Sequence, residues 1–252
     1  SRLAIPPGLS IIFLDAGQGD AMVVSAQGKT YLVDVGRPGS PTDDYLRHSG
    51  RGVDGVFLSH AHDDHAGGLE ELLECRDVPV FYLPECWPDS SEDAAAALTL
   101  IRAAGAQTVY LKAGDALPLS ADVSCEVLYP EAGAKLSGND ASMVLRLTCG
   151  EGSALLTGDL PAKREPADIP PTRLLKAPHH GSKHAAGEAF LSEVAPEVCV
   201  ISVGHNSYGH PAPELLKRLE ALGCTVLRTD ESGAVLTRIG KDGRVETETY
   251  LP

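Results

Sequence analysis

A dense group of ionisable side chains lies between residues 60 and 65, where the sequence reads HAHDDH. This group contains three histidines and two aspartates, and it follows the apolar run GVFL. Neighbouring ionised carboxylates repel each other, and imidazoles are costly to bury without partners. The composition of the group therefore indicates that a cation binds among these side chains.

The spacing within this group suits a centre with two metal ions. If GVFL is a strand, His60 and His62 stand two positions apart at its end and project towards one point. After the chain turns, Asp64 and His65 reach a neighbouring point, and together the four side chains form half of a two-metal site. The alternative, a polar loop with solvated histidines, does not account for so dense a cluster after a buried strand.

The sequence around the cluster alternates apolar runs with helical patterns. Early strands are predicted at Ile11–Leu14, Ala21–Val24 and Tyr31–Val35, and the same strand-then-helix order returns in the second half. Helices are predicted over TDDYLRHS (capped by Thr42 or Asp43), LEELLEC, SEDAAAALTLIRAA and APELLKRLEAL. This order indicates a layered sheet–sheet core covered by helices, in one domain over residues 1–252 with two similar halves.

Composition limits the classes of function. The net charge of −14 argues against broad binding to polyanions, although bound metals would add local positive charge. The six cysteines form no CxxC pair and are interpreted as small buried hydrophobes. No apolar run is long enough to cross a bilayer, and because the chain begins at Ser1 we expect it to be a fragment or a processed product.

HxHxDH after a strand is the signature of the metallo-β-lactamase superfamily, and other motifs resemble that superfamily in the same order. YLVDVG resembles its early aspartate motif, which implies that Asp34 organises the ligands. LLTGD implies that Asp159 bridges two metals, and KAPHHGS implies that His180 binds the second metal. Taken alone, TGDL would be interpreted as a turn with a helix cap.

One motif departs from the superfamily pattern. Most members place a histidine before TGD, whereas this chain has SGNDASMVLRL, with Asn139 near that position. The first metal would then have only His60, His62 and Asp159 from the protein. Asn139 either contacts the water or substrate that completes the site, or is a turn residue. The departure counts against β-lactam or glyoxalase-type hydrolysis.

FLDAGQGDA, GNDASMVLRL, LLTGDL, LLKAPHHGSKH and ISVGHNSYGHP together resemble the C-terminal domain of the ComEC family of DNA-uptake channels. This resemblance implies an α+β fold, the αβ/βα four-layer sandwich. It also implies a nuclease that hydrolyses DNA, single-stranded and left behind during uptake, by a hydroxide held between two divalent cations. Mn²⁺ is favoured and Zn²⁺ is the alternative.

The ComEC resemblance also implies a location and partners. The domain would lie on the extracytoplasmic face of a bacterial membrane, next to other domains of a channel, and would be a monomer when isolated. Two other functions stay open: a phosphodiesterase for small molecules or choline phosphates, and a non-catalytic module that binds nucleic acid or a partner.

Several side chains are candidates for the chemistry itself. Asp64 would orient the attacking hydroxide, and His179, His205 or His210 could protonate the leaving oxygen, although His205 and His210 could equally be loop residues. Asp20 is interpreted as a turn residue rather than a ligand, while the family resemblance implies that its loop lies at the active-site end and could support the ligands. The remaining candidates would meet the charge of the substrate, and they are the amides of Gly181 and Ser182 and the side chains of Arg173, Lys176, Lys183, Lys217 and Arg218.

Overall fold

The computed structural model describes residues 8–251. The strands are β1 Leu9–Phe13, β2 Ala21–Ala26, β3 Lys29–Val35, β4 Gly55–Phe57, β5 Val80–Pro84, β6 Gln107–Leu111, β7 Ala116–Pro118, β8 Val123–Tyr129, β9 Val144–Cys149, β10 Gly152–Leu156, β11 Leu174–Lys176, β12 Val198–Ile201, β13 Thr225–Arg228, β14 Val235–Ile239 and β15 Val245–Thr249. The α-helices are α1 Thr42–Ser49, α2 Asp63–Ala66, α3 Leu69–Cys75, α4 Glu92–Ala103, α5 Glu188–Val194, α6 Pro213–Ala221 and α7 Thr229–Ser232.

The strands form two mixed sheets. The order in the first sheet is β15-β14-β1-β2-β3-β4-β5-β6, and in the second it is β13-β12-β11-β10-β9-β8-β7. Strands β3 to β6 run parallel in the first sheet, and β10 to β13 run parallel in the second. The carboxyl ends of parallel neighbours meet at one edge of each sheet, which is where ligands commonly bind in such sheets.

Three apolar clusters define the layers. The first lies between the sheets and joins residues such as Phe13 and Phe57 to Leu147 of the opposite sheet. The second packs α1, α3 and α4 onto the outer face of the first sheet, and the third packs α5 and α6 onto the second sheet. The order helix–sheet–sheet–helix confirms the predicted αβ/βα four-layer sandwich.

Most of the predicted elements are present, with local corrections. Neither β7 nor α7 was predicted. Thr42 does not cap α1 from outside but is its first residue, because its Oγ1 donates to the carbonyl of Val35 at 3.2 Å and ties the helix start to β3. Of the six cysteines, Cys75 is exposed, so the prediction of buried hydrophobes is wrong for that one. No helix within residues 8–251 combines the length and the apolar character needed to cross a membrane.

Candidate metal centre

Four ionisable side chains converge where β10 and β11 end and α2 begins. Asp64, His65, Asp159 and His180 each place one ligand-type atom within 4.8 Å of the others. Asp159 Oδ1 lies 3.2 Å from His65 Nε2 and 3.5 Å from His180 Nε2. His180 Nε2 is also 3.4 Å from Asp64 Oδ2. The spacing of HAHDDH predicted Asp64 and His65 at one metal, and the superfamily resemblance implied Asp159 and His180; Asp159 lies between the two imidazoles.

A strained turn after β11 separates the directions of two consecutive histidines. His179 and His180 have φ values of 51° and 50°, in the left-handed region that non-glycine residues rarely adopt. Gly181 follows with φ 82°, and a Cβ there would lie 2.7 Å from Pro211 Cβ. Such conformations cost about 1–3 kcal/mol each and cluster at functional sites. This turn buries His180 among the carboxylates and leaves His179 partly exposed.

Hydrogen bonds fix the orientation of the buried imidazoles. His65 Nδ1–H donates to Asp34 Oδ2 at 2.8 Å, and His180 Nδ1–H donates to the carbonyl of Ser202 at 2.9 Å. Asp34 is held in turn, because it accepts hydrogen bonds from the amide and the hydroxyl of Ser59, both at 2.7 Å. With Nδ1 protonated in this way, each Nε2 presents a lone pair to the centre, as in metal-binding histidines.

His60 and His62 lie beside this cluster. The rings of His60 and His65 are 4.2 Å apart, and those of His60 and His62 are 4.6 Å apart. Ser142 Oγ lies 3.4 Å from His60 Nδ1 and also accepts the amide of Asp159 at 3.1 Å. One hydroxyl therefore positions a predicted ligand of the first metal and the predicted bridging carboxylate.

The donor atoms of this centre fit divalent cations. Among residues 8–251, His60 Nε2, His65 Nε2, Asp159 Oδ1 and His180 Nε2 are buried without a hydrogen-bond partner. Buried polar atoms without partners are costly, and here they face one another. Burial lowers the pKa of His180, but the carboxylates of Asp159 and Asp64 outweigh it and raise that pKa to about 9. The site therefore attracts positive charge, which a metal ion would supply.

A buried ion pair lies beneath the centre and corrects the prediction for Lys176. Lys176 is fully buried, pairs with the buried carboxylate of Asp20 and donates to the carbonyl of Gly158 at 3.0 Å. Lys176 Nζ is 4.0 Å from Asp159 Oδ1. The prediction that Lys176 meets the charge of the substrate was wrong, because β11 is an interior strand whose three residues are all buried. Asp20, interpreted as a turn residue rather than a ligand, also holds Lys176 with its side chain. Burial lowers the pKa of Lys176, but the two carboxylates outweigh it and keep the amine protonated.

An open cleft of about 250 Å³ exposes the centre to solvent. The four side chains predicted to be catalytic all line it: Asp64, Asn139, His179 and His210. The amide nitrogen of Asn139 lies 3.2 Å from His179 Nε2, and the ring of His179 is 5.5 Å from that of His210. The structure thus places Asn139 and His210 around one imidazole at the cleft, while their catalytic roles stay predictions.

Other predicted contacts to the substrate are less well placed. His205 and Lys183 are exposed but are not among the residues that line the cleft. The amide of Ser182 donates to the carbonyl of His179 at 2.9 Å, so the prediction that it binds a phosphate oxygen was wrong. Arg173 pairs with Glu197 on the surface, and Arg218 donates to the backbone of α6.

Three residues at the cleft were missed by the sequence analysis, and one of them, Gln18 in the β1–β2 loop, is partly buried. Arg37, in the loop after β3, and Tyr208, in the loop after β12, both line it and are exposed. A single arginine or tyrosine in a loop carries no spacing signal. The motif GHNSYGHP was noted for His205 and His210, and Tyr208 lies between them. This neighbourhood was the one clue in the sequence that Tyr208 is near the site.

Residues 14–205 match the family model of the metallo-beta-lactamase superfamily. The chain is 32% identical to ComE operon protein 3 of Bacillus subtilis, over 95% of this chain and 34% of that protein. It is 30% identical to competence protein ComA of Neisseria gonorrhoeae, over 91% of this chain and 32% of that protein. The chain thus spans about a third of the length of these relatives. The solved metallo-beta-lactamase fold protein YhfI of Bacillus subtilis is similar in fold, with a TM-score of 0.62 at 13% identity, over 96% of this chain and 100% of YhfI.

Proposed function

This chain belongs to the metallo-beta-lactamase superfamily, and we propose that it is a metal-dependent phosphodiesterase that cleaves DNA. Its resemblance to the ComEC family is confirmed by relatives with names from bacterial competence, and its superfamily supports a metal-dependent hydrolase. One observation carries the proposal: the converging atoms of Asp64, His65, Asp159 and His180 open onto a cleft that also holds His179. A charged phosphodiester needs this combination of cation-binding groups and a proton donor.

We assign the donor atoms to two cations. The first would be held by His60, His62 and Asp159. The second would be held by Asp64, His65, Asp159 and His180, whose ligand-type atoms all lie within 4.8 Å of one another. When bound, such ions neutralise negative charge on a phosphodiester and activate water for attack. We favour Mn²⁺ over Zn²⁺, because a centre with one histidine fewer is richer in oxygen donors, which suit Mn²⁺.

The side chains at the cleft divide the remaining tasks. Asp64 is partly exposed at the cleft and would orient the attacking water. His179 Nε2 lies 3.7 Å from Asp159 Oδ2, and we propose that this imidazole donates a proton to the leaving oxygen. Burial lowers the pKa of His179, which makes its protonated form a stronger acid. Asn139 and His210 contact this ring and would keep it oriented.

The setting of the reaction is part of the same proposal. Because the chain spans about a third of its competence relatives, we propose that it acts as one domain of a longer membrane protein at the extracytoplasmic face. Its substrate there would be a single DNA strand left behind during uptake, and other domains of the channel would deliver that strand. The isolated domain would be a monomer.

Incubation of the protein with labelled single-stranded DNA and Mn²⁺ tests this function. We expect shortened products, which disappear with a chelator and with His65→Ala or Asp64→Asn. Asp63→Asn is the matched control, because Asp63 is exposed next to the cluster and outside the group of converging atoms. Equal cleavage by all variants would reveal a contaminating nuclease. Hydrolysis of bis-p-nitrophenyl phosphate without cleavage of any DNA would overturn the choice of substrate.

A further inference from the structure

An exposed aromatic ring stands at the mouth of the cleft and takes no part in the proposed chemistry. The side chain of Tyr208 is 71% exposed. The large hydrophobic side chains that are exposed within residues 8–251 are Tyr110, Tyr208, Leu222, Tyr250 and Leu251. Of these, Tyr208 is the one that lines the cleft of the metal centre.

The distance from Tyr208 to the reacting centre is short. Its ring lies 5.8 Å from the ring of His210, which lies 5.5 Å from the ring of His179. His179 in turn is 3.7 Å from the carboxylate of Asp159. The ring of His210 therefore lies between His179, the proposed proton donor, and the exposed ring of Tyr208. A group attached to the cleaved phosphate can reach Tyr208 over this distance.

The loop that presents Tyr208 is held in place by its own hydrogen bonds. The side-chain nitrogen of Asn206, Nδ2, donates to the backbone carbonyls of Gly204 and His210, both at 2.8 Å. The side-chain oxygen of Asn206, Oδ1, accepts hydrogen bonds from the backbone amides of Tyr208 and His210 at 3.1 and 3.0 Å. The base of the loop packs on the β1–β2 loop, since a Cβ on Gly204 would lie 2.6 Å from Gly17 Cα. A ring on so constrained a loop loses little conformational entropy when it binds a ligand.

A cation is available at the same cleft. Arg37 is exposed and lines the cleft, and it makes no ion pair with any carboxylate in the described part of the chain. An unpaired guanidinium near a phosphodiester site suits the phosphate of a neighbouring nucleotide. The cleft thus offers a cation for a phosphate and an aromatic face for a base, the two contacts that proteins use for single strands.

From this arrangement we infer that Tyr208 stacks on an unpaired nucleobase next to the cleaved linkage and makes the enzyme prefer single-stranded nucleic acid. The inference rests on the proposed phosphodiesterase function and identifies how its substrate is recognised. A base paired in a duplex has its faces covered by its neighbours, so it cannot present one to Tyr208. Stacking is tolerant of sequence, so the preference would concern strandedness rather than base identity.

Short strands with one cleavable linkage test this inference. One strand carries thymine on both sides of that linkage, and the other carries a stable tetrahydrofuran in place of both bases. We expect Tyr208→Ala to lower kcat/KM on the thymine strand by about five- to a hundredfold and Tyr208→Phe to retain activity. On the base-free strand, wild-type protein and Tyr208→Ala should be equally slow.

Arg37→Gln is the matched comparison, because loss of a phosphate contact should slow both strands by the same factor. Equal activity of Tyr208→Ala and wild type on the thymine strand would overturn the inference and leave the proposed function intact. An equal loss on both strands would also overturn it, since the role of Tyr208 would then not involve the base. Failure of the wild-type protein to cleave any DNA would refute the proposed function, and the inference with it.

Discussion

At the scale of single residues, the candidate metal centre depends on groups that touch no predicted substrate. The side chain of Asp34 orients His65, the backbone carbonyl of Ser202 orients His180, and the side chain of Ser142 contacts both His60 and the amide of Asp159. Partners of this kind fix the tautomer and the direction of a metal-binding imidazole. The affinity of the centre for metal should therefore fall when the side chain of Asp34 or Ser142 is changed, although no ligand atom is lost.

Asp34→Asn isolates this orienting effect. Asn tolerates the left-handed backbone of Asp34 (φ 57°), so the fold should persist. Whichever way the amide turns, its NH₂ faces a donor, either the amide of Ser59 or the Nδ1–H of His65. We expect the affinity for Mn²⁺ to fall about 10- to 100-fold by calorimetric titration. Asp63→Asn makes the same change of charge on an exposed residue and should bind Mn²⁺ as tightly as the wild type does. An unchanged affinity of Asp34→Asn for Mn²⁺ would contradict the role of Asp34.

Lys176→Met tests the buried ion pair. The substitution leaves the carboxylate of Asp20 buried without its cation, which should cost about 3–5 kcal/mol of unfolding free energy. Urea denaturation of metal-free protein measures this loss. The double variant Asp20→Asn/Lys176→Met should regain most of it, because neither charge then remains. Lys183→Met, at an exposed position nearby, should change stability by less than about 0.5 kcal/mol. A similarly small loss for Lys176→Met would show that the pair is unimportant.

At the scale of elements, the β1–β2 loop and the start of α2 form one support. The amide of Asp20 donates to the carbonyl of Asp64 at 3.0 Å, so the GQGD loop holds the backbone of a predicted ligand. Gly19 allows this contact, because a Cβ there would lie 2.6 Å from the carbonyl oxygen of Asp64. The close packing of these two elements explains why a glycine-rich loop so far from HAHDDH in sequence belongs to the same site.

Gly19→Ala should force the two elements apart. We expect a loss of about 1–3 kcal/mol in unfolding free energy, as for other overpacked sites, together with weaker binding of Mn²⁺. Thermal or urea denaturation and metal titration measure the two effects. Gly52→Ala is the control, since a Cβ at Gly52 meets nothing within 4 Å. If both variants behave alike, the β1–β2 loop does not position Asp64.

At the scale of the whole molecule, the protein is acidic while its proposed substrate is a polyanion. The net charge is −14, and of the cations proposed from sequence Lys176 is buried and Arg173 is paired. If the proposed substrate binds, its attraction would come from the metals of the candidate centre and from a few local groups such as Arg37. Binding should be weak and should depend on the bound metal.

The salt dependence of DNA binding measures the number of such contacts. For a single strand, each neutralised phosphate contributes about −0.7 to the slope of log K against log salt concentration. With one or two contacts we expect a slope between about −0.7 and −1.4, measured by fluorescence anisotropy with a phosphorothioate strand. Chelation of the metals should abolish the binding. A slope steeper than about −3, or tight binding without metal, would show that a different and more basic surface is used.

The sequence by itself, through its motifs and the family resemblance that they carry, determined the fold class and predicted the members of the candidate metal centre. HAHDDH, TGD and KAPHHGS identify Asp64, His65, Asp159 and His180, although these residues lie far apart along the chain, and the structure brings all four together. The spacing of HAHDDH at the end of a strand predicted Asp64 and His65, and the resemblance of the other two motifs to the superfamily implied Asp159 and His180. The apolar alternation of the strands likewise indicated the layers.

Only the tertiary structure decided what surrounds that centre. Lys176 and Lys183 look alike in KAPHHGSK, yet one is buried against Asp20 and the other is exposed. The difference arises because β11 pairs with β10 and β12 in the interior, and this pairing depends on contacts between distant segments. The same holds for Tyr208 and Arg37, which meet at one cleft because loops after β12 and β3 end at the same edge of the two sheets. Local spacing carries no information about contacts between such distant residues, because the packing of the whole chain determines them.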